Sequence, residues 1–157
     1  MLLVEHSEHH GDGHSAGRAL LAALYRKATG SDMPAICIGE RGKPFFENDP
    51  LHFSITHTRQ HVFCALSDKP VGIDAEQLER PVNLKLADKI LSPAERAQFD
   101  LAPDQRTALL RFWVLKEALG KCSGQGINGY PNRTHFSLTD PRVQVRHGCL
   151  LAVITED

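Results

Sequence analysis

Apolar residues in the first half of the chain follow first a helical and then an extended spacing. Their recurrence every three or four positions over residues 15–28 predicts a helix, with Ser15 as its N-cap and Gly30 as its stop. Apolar and polar residues then alternate over residues 51–56, which is the period of a half-buried strand. Shorter apolar runs predict further strands at residues 35–38, 61–66 and 71–74. The first half is therefore expected to combine one helix with a small sheet.

The second half carries longer helical patterns. Ser92 precedes Pro93 and stands three residues before Glu95, the arrangement of a capping box with proline at the first helical position, so a helix is expected to begin there. The remaining patterned segments predict helices at residues 84–91 and 105–122 and strands at residues 134–138 and 143–154, the last folded at residues 147–148. The second half is thus expected to be rich in helix and to end in sheet.

The two halves match each other in order and, weakly, in sequence. Residues 52–56 match residues 135–139, and residues 19–21 match residues 108–110, in each case within a helix followed by strands. These patterns predict an α+β fold of two related halves, each with a helix packed on a mainly antiparallel sheet. The expected parts are a His-rich N-terminal strap at residues 1–14, a shortened first half at residues 15–68, and a second half at residues 69–157.

The N-terminal strap stands out for its histidines. It holds four of the nine in the chain and shows no sustained periodicity, which predicts a polar, poorly ordered segment, with a transition-metal site as the alternative. Residues 1–4 are apolar, however. We expect residues 2–4 to pack against the first half as a short strand beside residues 51–56, or else self-association to cover that sheet edge.

Composition and charge narrow the picture mainly by exclusion. With 157 residues, 41% of them hydrophobic and 24% charged, the chain has the make-up of a globular protein of one domain or two small ones. Its 18 basic and 19 acidic residues nearly cancel, so neither a nucleic acid nor a membrane is expected as a partner. The cysteines are scattered, and the sequence shows neither a signal-peptide pattern nor an apolar run of about 18 residues. We therefore expect a cytoplasmic, monomeric protein with free thiols.

Two carboxylates mark the end of the strand predicted at residues 71–74. Asp74 and Glu76 are two positions apart, and on an extended backbone such side chains point the same way. Paired oxygen ligands suit Mg²⁺, which leaves its other coordination positions to water and phosphate oxygens. The alternative is a pair of solvated acidic residues, and the spacing alone leaves both interpretations open.

A second candidate cluster lies on the helix predicted over residues 105–122. Trp113, Glu117 and Lys121 are four residues apart and share one helix face. An exposed Glu–Lys pair with this spacing is common and needs no function, but a tryptophan one turn earlier tends to bury the face. A carboxylate and an ammonium at the rim of a buried face are then candidates for catalysis.

Basic residues form a third set in the first half. Arg18 stands near the start of the first helix, Lys43 lies between a glycine and a proline, and His57 stands between Thr56 and Thr58. A lysine on a constrained turn supplies a point charge, and a histidine between two hydroxyls has donors on either side for a phosphate. These residues are expected either to line one anion pocket or to be solvated separately.

Taken together, these segments resemble a known family. The segments Gly-Lys-Pro at residues 42–44, Phe-Ser-Ile-Thr-His-Thr at 53–58, Val-Gly-Ile-Asp-Ala-Glu at 71–76 and Phe-Trp-x-x-Lys-Glu-Ala-x-x-x-Lys at 112–121 are similar to those of the 4′-phosphopantetheinyl transferase superfamily, in its surfactin-synthetase-activating, pseudo-dimeric branch. The resemblance runs from about Arg18 to the C-terminus and depends on the combination of motifs. It implies the fold of that family and transfer of the phosphopantetheine arm of coenzyme A to a serine of an apo acyl or peptidyl carrier protein, which leaves adenosine 3′,5′-bisphosphate.

The resemblance also implies roles for individual residues. Mg²⁺ on the pyrophosphate would be surrounded by the carboxylates of Asp74, Glu76 and Glu117, with Glu117 also as the general base and Lys121 assisting the leaving group. Glu95 would be an accessory to the metal site. The residues expected to bind coenzyme A are Arg18, Lys43, Thr56, His57, Asp74 and Lys121. Such a site neutralises phosphate charge and supplies a base, which is what hydroxyl attack on a pyrophosphate requires.

The chain departs from the family pattern at its N-terminus. The strap stands where members of this branch have a first strand and a basic segment, so part of the usual coenzyme contact is expected to be absent. The alternative function is a degenerate relative that binds coenzyme A or a carrier protein without transfer, and a Mg²⁺-dependent phosphohydrolase is a third interpretation. The presence of all the carboxylates and of Lys121 favours the transferase.

Overall fold

The first half of the protein is a helix on a three-stranded antiparallel sheet. A computed structural model describes residues 1–126 and 131–157. The strands of the first sheet are β1 (Leu2–Glu8), β4 (His52–His57) and β5 (His61–Ser67), in the order β1-β5-β4. The helix α1 (Gly13–Thr29) packs on β4 and β5. A separate hairpin of β2 (Ile36–Ile38) and β3 (Pro44–Phe46) lies between α1 and β4 in the chain.

The second half repeats this arrangement. Its sheet contains β6 (Val71–Gln77), β7 (Val143–Arg146) and β8 (Cys149–Thr155), in the order β6-β8-β7. The helices are α2 (Ala87–Ile90), α3 (Pro93–Leu101) and α4 (Gln105–Ser123), and two 3₁₀ turns lie at Leu84–Leu86 and Pro131–Arg133. In both sheets the first strand lies at one edge and the last strand lies in the middle. This shared order confirms the predicted α+β architecture of helices on antiparallel sheets.

The two sheets pack against each other through small and branched side chains. Phe63 and Ala65 of β5 are fully buried in one cluster with Ile73 and Ala75 of β6 and with Leu151 of β8. The opposite face of the second sheet packs on α4 through residues such as Leu150, Ala152 and Ile154. The strand β6, at the edge of the second sheet, therefore lies between the first half and α4. Asp74 and Glu76 are both on this strand.

The predicted cap of the first helix is wrong by one turn. Asp12, not Ser15, is the N-cap, since its carboxylate accepts hydrogen bonds from the Ser15 amide at 3.1 Å and the Ser15 hydroxyl at 2.6 Å. The helix ends at Gly30, as predicted. The capping box of Ser92 and Glu95 is also confirmed, with Pro93 at the first position of α3.

The expectation of a poorly ordered N-terminal strap is wrong. Residues 2–8 form β1, which pairs with β5 from Leu2 opposite Ser67 to Glu8 opposite His61. The strand therefore borders β5 and not β4, and it is longer than the predicted residues 2–4. The alternation of apolar residues that would predict this strand is interrupted by His6. Its ring packs against that of Phe63, at a centroid distance of 4.9 Å, where an apolar side chain is usual. The first strand expected to be absent from this chain is present.

Residues 134–138 do not form the predicted strand. The amides of Phe136 and Leu138 donate instead to the side chains of α3, at 2.8 Å to Glu95 Oε2 and at 2.8 Å to Gln98 Oε1. The counterpart of β4 in the second sheet is β7, so the sequence match between residues 52–56 and 135–139 has no structural equivalent. Apolar alternation here reflects packing of two side chains onto the helices, not pairing with another strand.

Two further features concern the whole of the described chain. All four cysteines are free, as predicted. Within residues 1–126 and 131–157, no helix combines the length and the apolar character needed to cross a bilayer.

The helix α4 comes very close to its sheet at Gly72 of β6. A Cβ atom at this position would lie 1.9 Å from the Ala118 carbonyl oxygen and 2.5 Å from the Cys122 nitrogen. Real side-chain atoms do not approach backbone atoms so closely, so only glycine allows this contact. The closeness brings the edge of β6 next to the helix that carries Glu117 and Lys121.

We expect Gly72→Ala to push α4 away from β6 and to lower the free energy of unfolding by about 3 kcal/mol. Urea unfolding measures the loss. Gly11→Ala is the matched control, because nothing lies within 4 Å of its added atom, and it is expected to change stability by less than about 0.5 kcal/mol. Equal stability of Gly72→Ala and the parent would contradict the close contact.

Candidate active site

A cleft between the two halves gathers most of the residues expected to bind the coenzyme. Its volume is about 410 Å³, and residues from α1, the β2–β3 loop, β4 and α4 line it. The basic side chains on its wall are those of His14, Arg18, Arg41, Lys43, His57 and Lys121. Glu117 lies among them. The fold thus brings Arg18, Lys43 and His57 of the first half to the same surface as Glu117 and Lys121 of the second.

Asp74 of β6 lies at the inner end of this site. Its side chain is buried, with Oδ1 accepting a hydrogen bond from Lys121 Nζ at 3.1 Å. The other oxygen, Oδ2, is buried and has no hydrogen-bond partner among the residues that the structure describes. A buried carboxylate oxygen without a partner is costly, so this atom marks a place where a donor or a cation would be stabilising.

The three carboxylates predicted to act together influence each other electrostatically. The pKa of Asp74 is raised to about 7, chiefly by burial and in part by the neighbouring charges of Glu117 and Glu76, while Lys121 opposes the shift. Burial also raises the pKa of Glu117, with a further contribution from Glu76. Asp74, Glu76 and Glu117 are therefore close enough to repel one another, which is the condition that a bound divalent cation relieves.

The raised pKa of Asp74 makes stability depend on pH. The folded protein holds this proton more tightly than the unfolded chain, so the stabilising contribution is full below the ordinary pKa of 3.8 and is lost as the pH rises through about 7. We expect the free energy of unfolding in chelator to fall by more than about 1 kcal/mol between about pH 5 and pH 8, and Asp74→Asn to flatten that fall. Urea titrations of both proteins at the two pH values test this. Parallel pH dependence in the two proteins would contradict it.

Glu76 is paired with Arg80, whereas Asp74 is paired with Lys121. Arg80 Nη1 donates to Glu76 Oε1 at 2.5 Å, just beyond the end of β6. In the part of the chain that the structure describes, no three His, Cys, Asp or Glu side chains are already arranged as a metal-ligand set. Arg80 engages one of the two Glu76 oxygens, and joint coordination of one cation by Asp74, Glu76 and Glu117 requires a movement of these side chains.

Hydroxyls of β4 connect the two sheets at the site. The amides of Ile73 and Ala75 donate to Ser54 Oγ at 3.1 Å and to Thr56 Oγ1 at 3.3 Å. Thr56 Oγ1 also donates to Asp74 Oδ1 at 3.4 Å. The Thr56 side chain, predicted to bind the coenzyme, is buried and orients Asp74 rather than lining the cleft. Ser54 holds β6 through the Ile73 amide and also lines the cleft, a role that the sequence did not reveal, although its polar side chain in a buried strand was a signal.

His57 is held against the N-terminal segment. A Cβ atom at Gly13 would lie 2.5 Å from His57 Nδ1, so the imidazole packs directly on the glycine backbone. The ring of His9 packs edge-on at a centroid distance of 6.0 Å, and His9 Nε2 lies 2.8 Å from the Thr58 carbonyl oxygen. The histidines of the strap region therefore include one that supports the cleft, a role that their sequence pattern did not indicate.

Glu95, predicted to be an accessory to the metal site, has a structural environment instead. It is fully buried, and its Oε1 forms an ion pair with Lys116 Nζ at 2.7 Å and accepts from the Ser92 amide at 2.9 Å. Its Oε2 accepts from the Phe136 amide at 2.8 Å. Both oxygens are engaged in holding α3, α4 and the segment after residue 130 together, which is the role that the contacts of Glu95 show.

Comparisons with known proteins show which family the chain is related to. A profile of the 4′-phosphopantetheinyl transferase superfamily matches residues 70–151, which include β6 and α4. The chain is 34% identical over 127 residues to a 4′-phosphopantetheinyl transferase of Bacillus subtilis, an alignment that covers 76% of this chain and 56% of that protein.

Two further relatives agree with this assignment. The 4′-phosphopantetheinyl transferase AcpT of Escherichia coli (strain K12) is 39% identical over 114 residues, or 69% of this chain and 56% of the relative. The 4′-phosphopantetheinyl transferase Sfp of Bacillus subtilis (strain 168) is 34% identical over 93 residues, or 57% of this chain and 41% of the relative.

The fold and the matched segments together define the class of the protein. The chain belongs to the 4′-phosphopantetheinyl transferase superfamily, as the resemblance predicted. It spans about half the length of the curated relatives that it matches.

Proposed function

We propose that this protein transfers the 4′-phosphopantetheine group from coenzyme A to a serine of an apo acyl or peptidyl carrier protein. One observation carries the proposal: Glu117 and Lys121 of the matched segment lie in a basic cleft, directly beside the buried carboxylate of Asp74. A polyanionic substrate suits the basic wall, and the acidic group at its inner end suits a cation shared with that substrate.

The residues present fit Mg²⁺. Asp74 Oδ2 is a buried oxygen without a hydrogen-bond partner among the described residues, and burial together with neighbouring carboxylates raises the pKa values of Asp74 and Glu117. We propose Asp74, Glu76 and Glu117 as the residues that hold the ion, after a movement of these side chains towards one another. When bound, the ion supplies charge neutralisation on the pyrophosphate and fixes its orientation.

The remaining residues divide the chemistry between them. Glu117 takes the proton of the attacking serine hydroxyl, a role that its raised pKa favours. The serine oxygen forms a bond to the phosphorus that bears pantetheine, and the bond from this phosphorus to the bridging oxygen breaks. Lys121 neutralises the departing adenosine 3′,5′-bisphosphate, while Arg18 and His57 on the cleft wall bind the nucleotide phosphates.

We further propose that the protein acts as a monomer in the cytoplasm.

Mass spectrometry tests the proposal directly. A panel of apo carrier proteins is incubated with this protein, coenzyme A and Mg²⁺, and a gain of one phosphopantetheine arm on any of them is the expected result. Binding of coenzyme A or of a carrier protein without any mass gain would favour the degenerate relative. Hydrolysis of a simple phosphate ester without transfer would favour a phosphohydrolase and would overturn the proposal.

His57 is expected to bind the 3′-phosphate of coenzyme A, the phosphopantetheine donor. His57→Ala should weaken coenzyme A binding about tenfold, because a charge-assisted hydrogen bond is lost, and the penalty should shrink with dephospho-coenzyme A, which lacks that phosphate. Competition binding with both donors measures the two penalties. His14→Ala is the control for loss of a histidine from the same cleft, and its effect on binding should be the same with both donors. An equal loss for both donors would show that His57 does not contact the 3′-phosphate.

A further inference from the structure

Lys43 has contacts unlike those of the other basic residues in the cleft. Its side chain crosses from the β2–β3 loop of the first half to the second half, where Nζ donates to the Val71 carbonyl of β6 at 3.1 Å. It also donates to the Cys122 carbonyl at 2.9 Å and to the carbonyl of Lys121. A lysine ammonium has three hydrogens, so these three acceptors use all of them.

Two of these acceptors lie at the end of α4. The carbonyls of the last turn of a helix have no partner within the helix, and a cation there interacts favourably with the helix dipole. Gly124 ends α4, and the stem of Lys43 lies beside it, with Cδ 3.4 Å from the position of a Cβ atom at that glycine. Lys43 therefore caps α4 from outside, across the boundary between the two halves.

The backbone that Lys43 holds belongs to a residue of the site. The side chain of Lys121 donates to Asp74 at 3.1 Å and to the Ile73 carbonyl at 3.0 Å, while its own carbonyl accepts from Lys43. Val71, the third acceptor of Lys43, lies on the same strand as Asp74. One ammonium thus fixes β6 and the end of α4 relative to each other, next to the carboxylate and the lysine proposed to act on the pyrophosphate.

We infer that Lys43 is a positioning residue, which holds the end of α4 so that Lys121 meets the substrate, and not a ligand of the coenzyme phosphates. The inference deepens the proposed function and depends on it for the role of Lys121. Burial lowers the pKa of Lys43, in agreement with an ammonium that is held against protein carbonyls. A phosphate contact by Nζ would require one of its three carbonyl bonds to break.

A double-mutant cycle distinguishes the two roles. If Lys43 acts through Lys121, Lys43→Met should lower kcat/KM for transfer about thirtyfold in the parent but at most about threefold in a Lys121→Met background. If Lys43 binds phosphate itself, it should cost the same factor in both backgrounds, which would overturn the inference. Arg41→Met is the matched control, because Arg41 lines the same cleft two residues away, and its effect should be the same factor in both backgrounds.

Hydrogen exchange supplies a measurement that needs no transfer activity. Lys43→Met should speed amide exchange in the last turn of α4 by about tenfold and leave α1 unchanged, since only the end of α4 loses its cap. Unchanged exchange in α4 would overturn the inference. If the parent transfers phosphopantetheine to no carrier protein, the proposed function fails while the exchange result still decides what Lys43 holds. Faster exchange throughout the protein would mean a general loss of stability and would equally overturn it.

Discussion

Asp74→Asn and Glu117→Gln are each expected to lower the rate of phosphopantetheine transfer by about a thousandfold, with little change in the fold. Each replacement keeps the shape of the side chain and removes one charged oxygen ligand beside the pyrophosphate. The charge that stabilises the transition state is then incomplete, and a missing preorganised group of this kind costs up to about 4 kcal/mol in the barrier. Glu117→Gln also removes the proposed base.

The measurement is the rate of mass gain on a carrier protein under saturating Mg²⁺ and coenzyme A, with circular dichroism as the check of folding. Glu79→Gln is the matched control, because Glu79 is an exposed carboxylate a few residues beyond Asp74, and it should transfer at close to the parent rate. Near-parent rates for either of the two site variants would show that the assigned metal ligands are wrong.

The second large effect is expected on stability. Lys116→Met should lower the free energy of unfolding by about 3–5 kcal/mol, because it leaves the fully buried Glu95 carboxylate without its counter-charge. The lysine also donates to the carbonyl of Pro131 at 2.7 Å and to the hydroxyl of Thr134 at 2.8 Å, so the segment after residue 130 loses these hydrogen bonds to α4.

Urea unfolding of three variants separates these contributions. Replacing both partners, as in Lys116→Met with Glu95→Met, should restore part of the loss, since no buried charge then remains unpaired. Arg96→Met is the surface control: its ion pairs with Asp88 and Asp100 are exposed and should contribute less than about 1 kcal/mol. A loss for Lys116→Met as small as that of Arg96→Met would contradict a buried ion pair.

Elements specified by local sequence were predictable. The capping box of Ser92 fixes the start of α3 because its hydrogen bonds join residues three apart, and the periodicity of α4 needs no distant partner. Two errors had tertiary causes. β1 contains His6 where an apolar residue is the rule, because His6 packs with His61 and with His147, at ring distances of 5.0 Å and 3.6 Å. In residues 134–138, the amides of Phe136 and Leu138 donate to side chains of a helix that lies about forty residues earlier in the chain.

The candidate site likewise has a part that the sequence predicted and a part that it did not. The motifs indicated which residues would gather: five of them line one cleft, and Asp74 adjoins it through its hydrogen bond with Lys121. The supporting contacts were not accessible from the sequence, since a lysine, a threonine and a glutamate look the same whether they face a ligand or the protein. Lys43, Thr56 and Glu95 each make hydrogen bonds to the protein itself, and only three-dimensional proximity distinguishes that role.

The position of the last strand in each sheet has a consequence for synthesis on the ribosome. In both halves the central strand is the final one in sequence, β5 in the first and β8 in the second. Until β5 emerges, β1 and β4 have no neighbour to pair with, and β6 and β7 wait in the same way for β8. Each half must therefore complete its sheet late and in one step, and α4 with its charged residues has no finished surface to dock on until the last strand is in place.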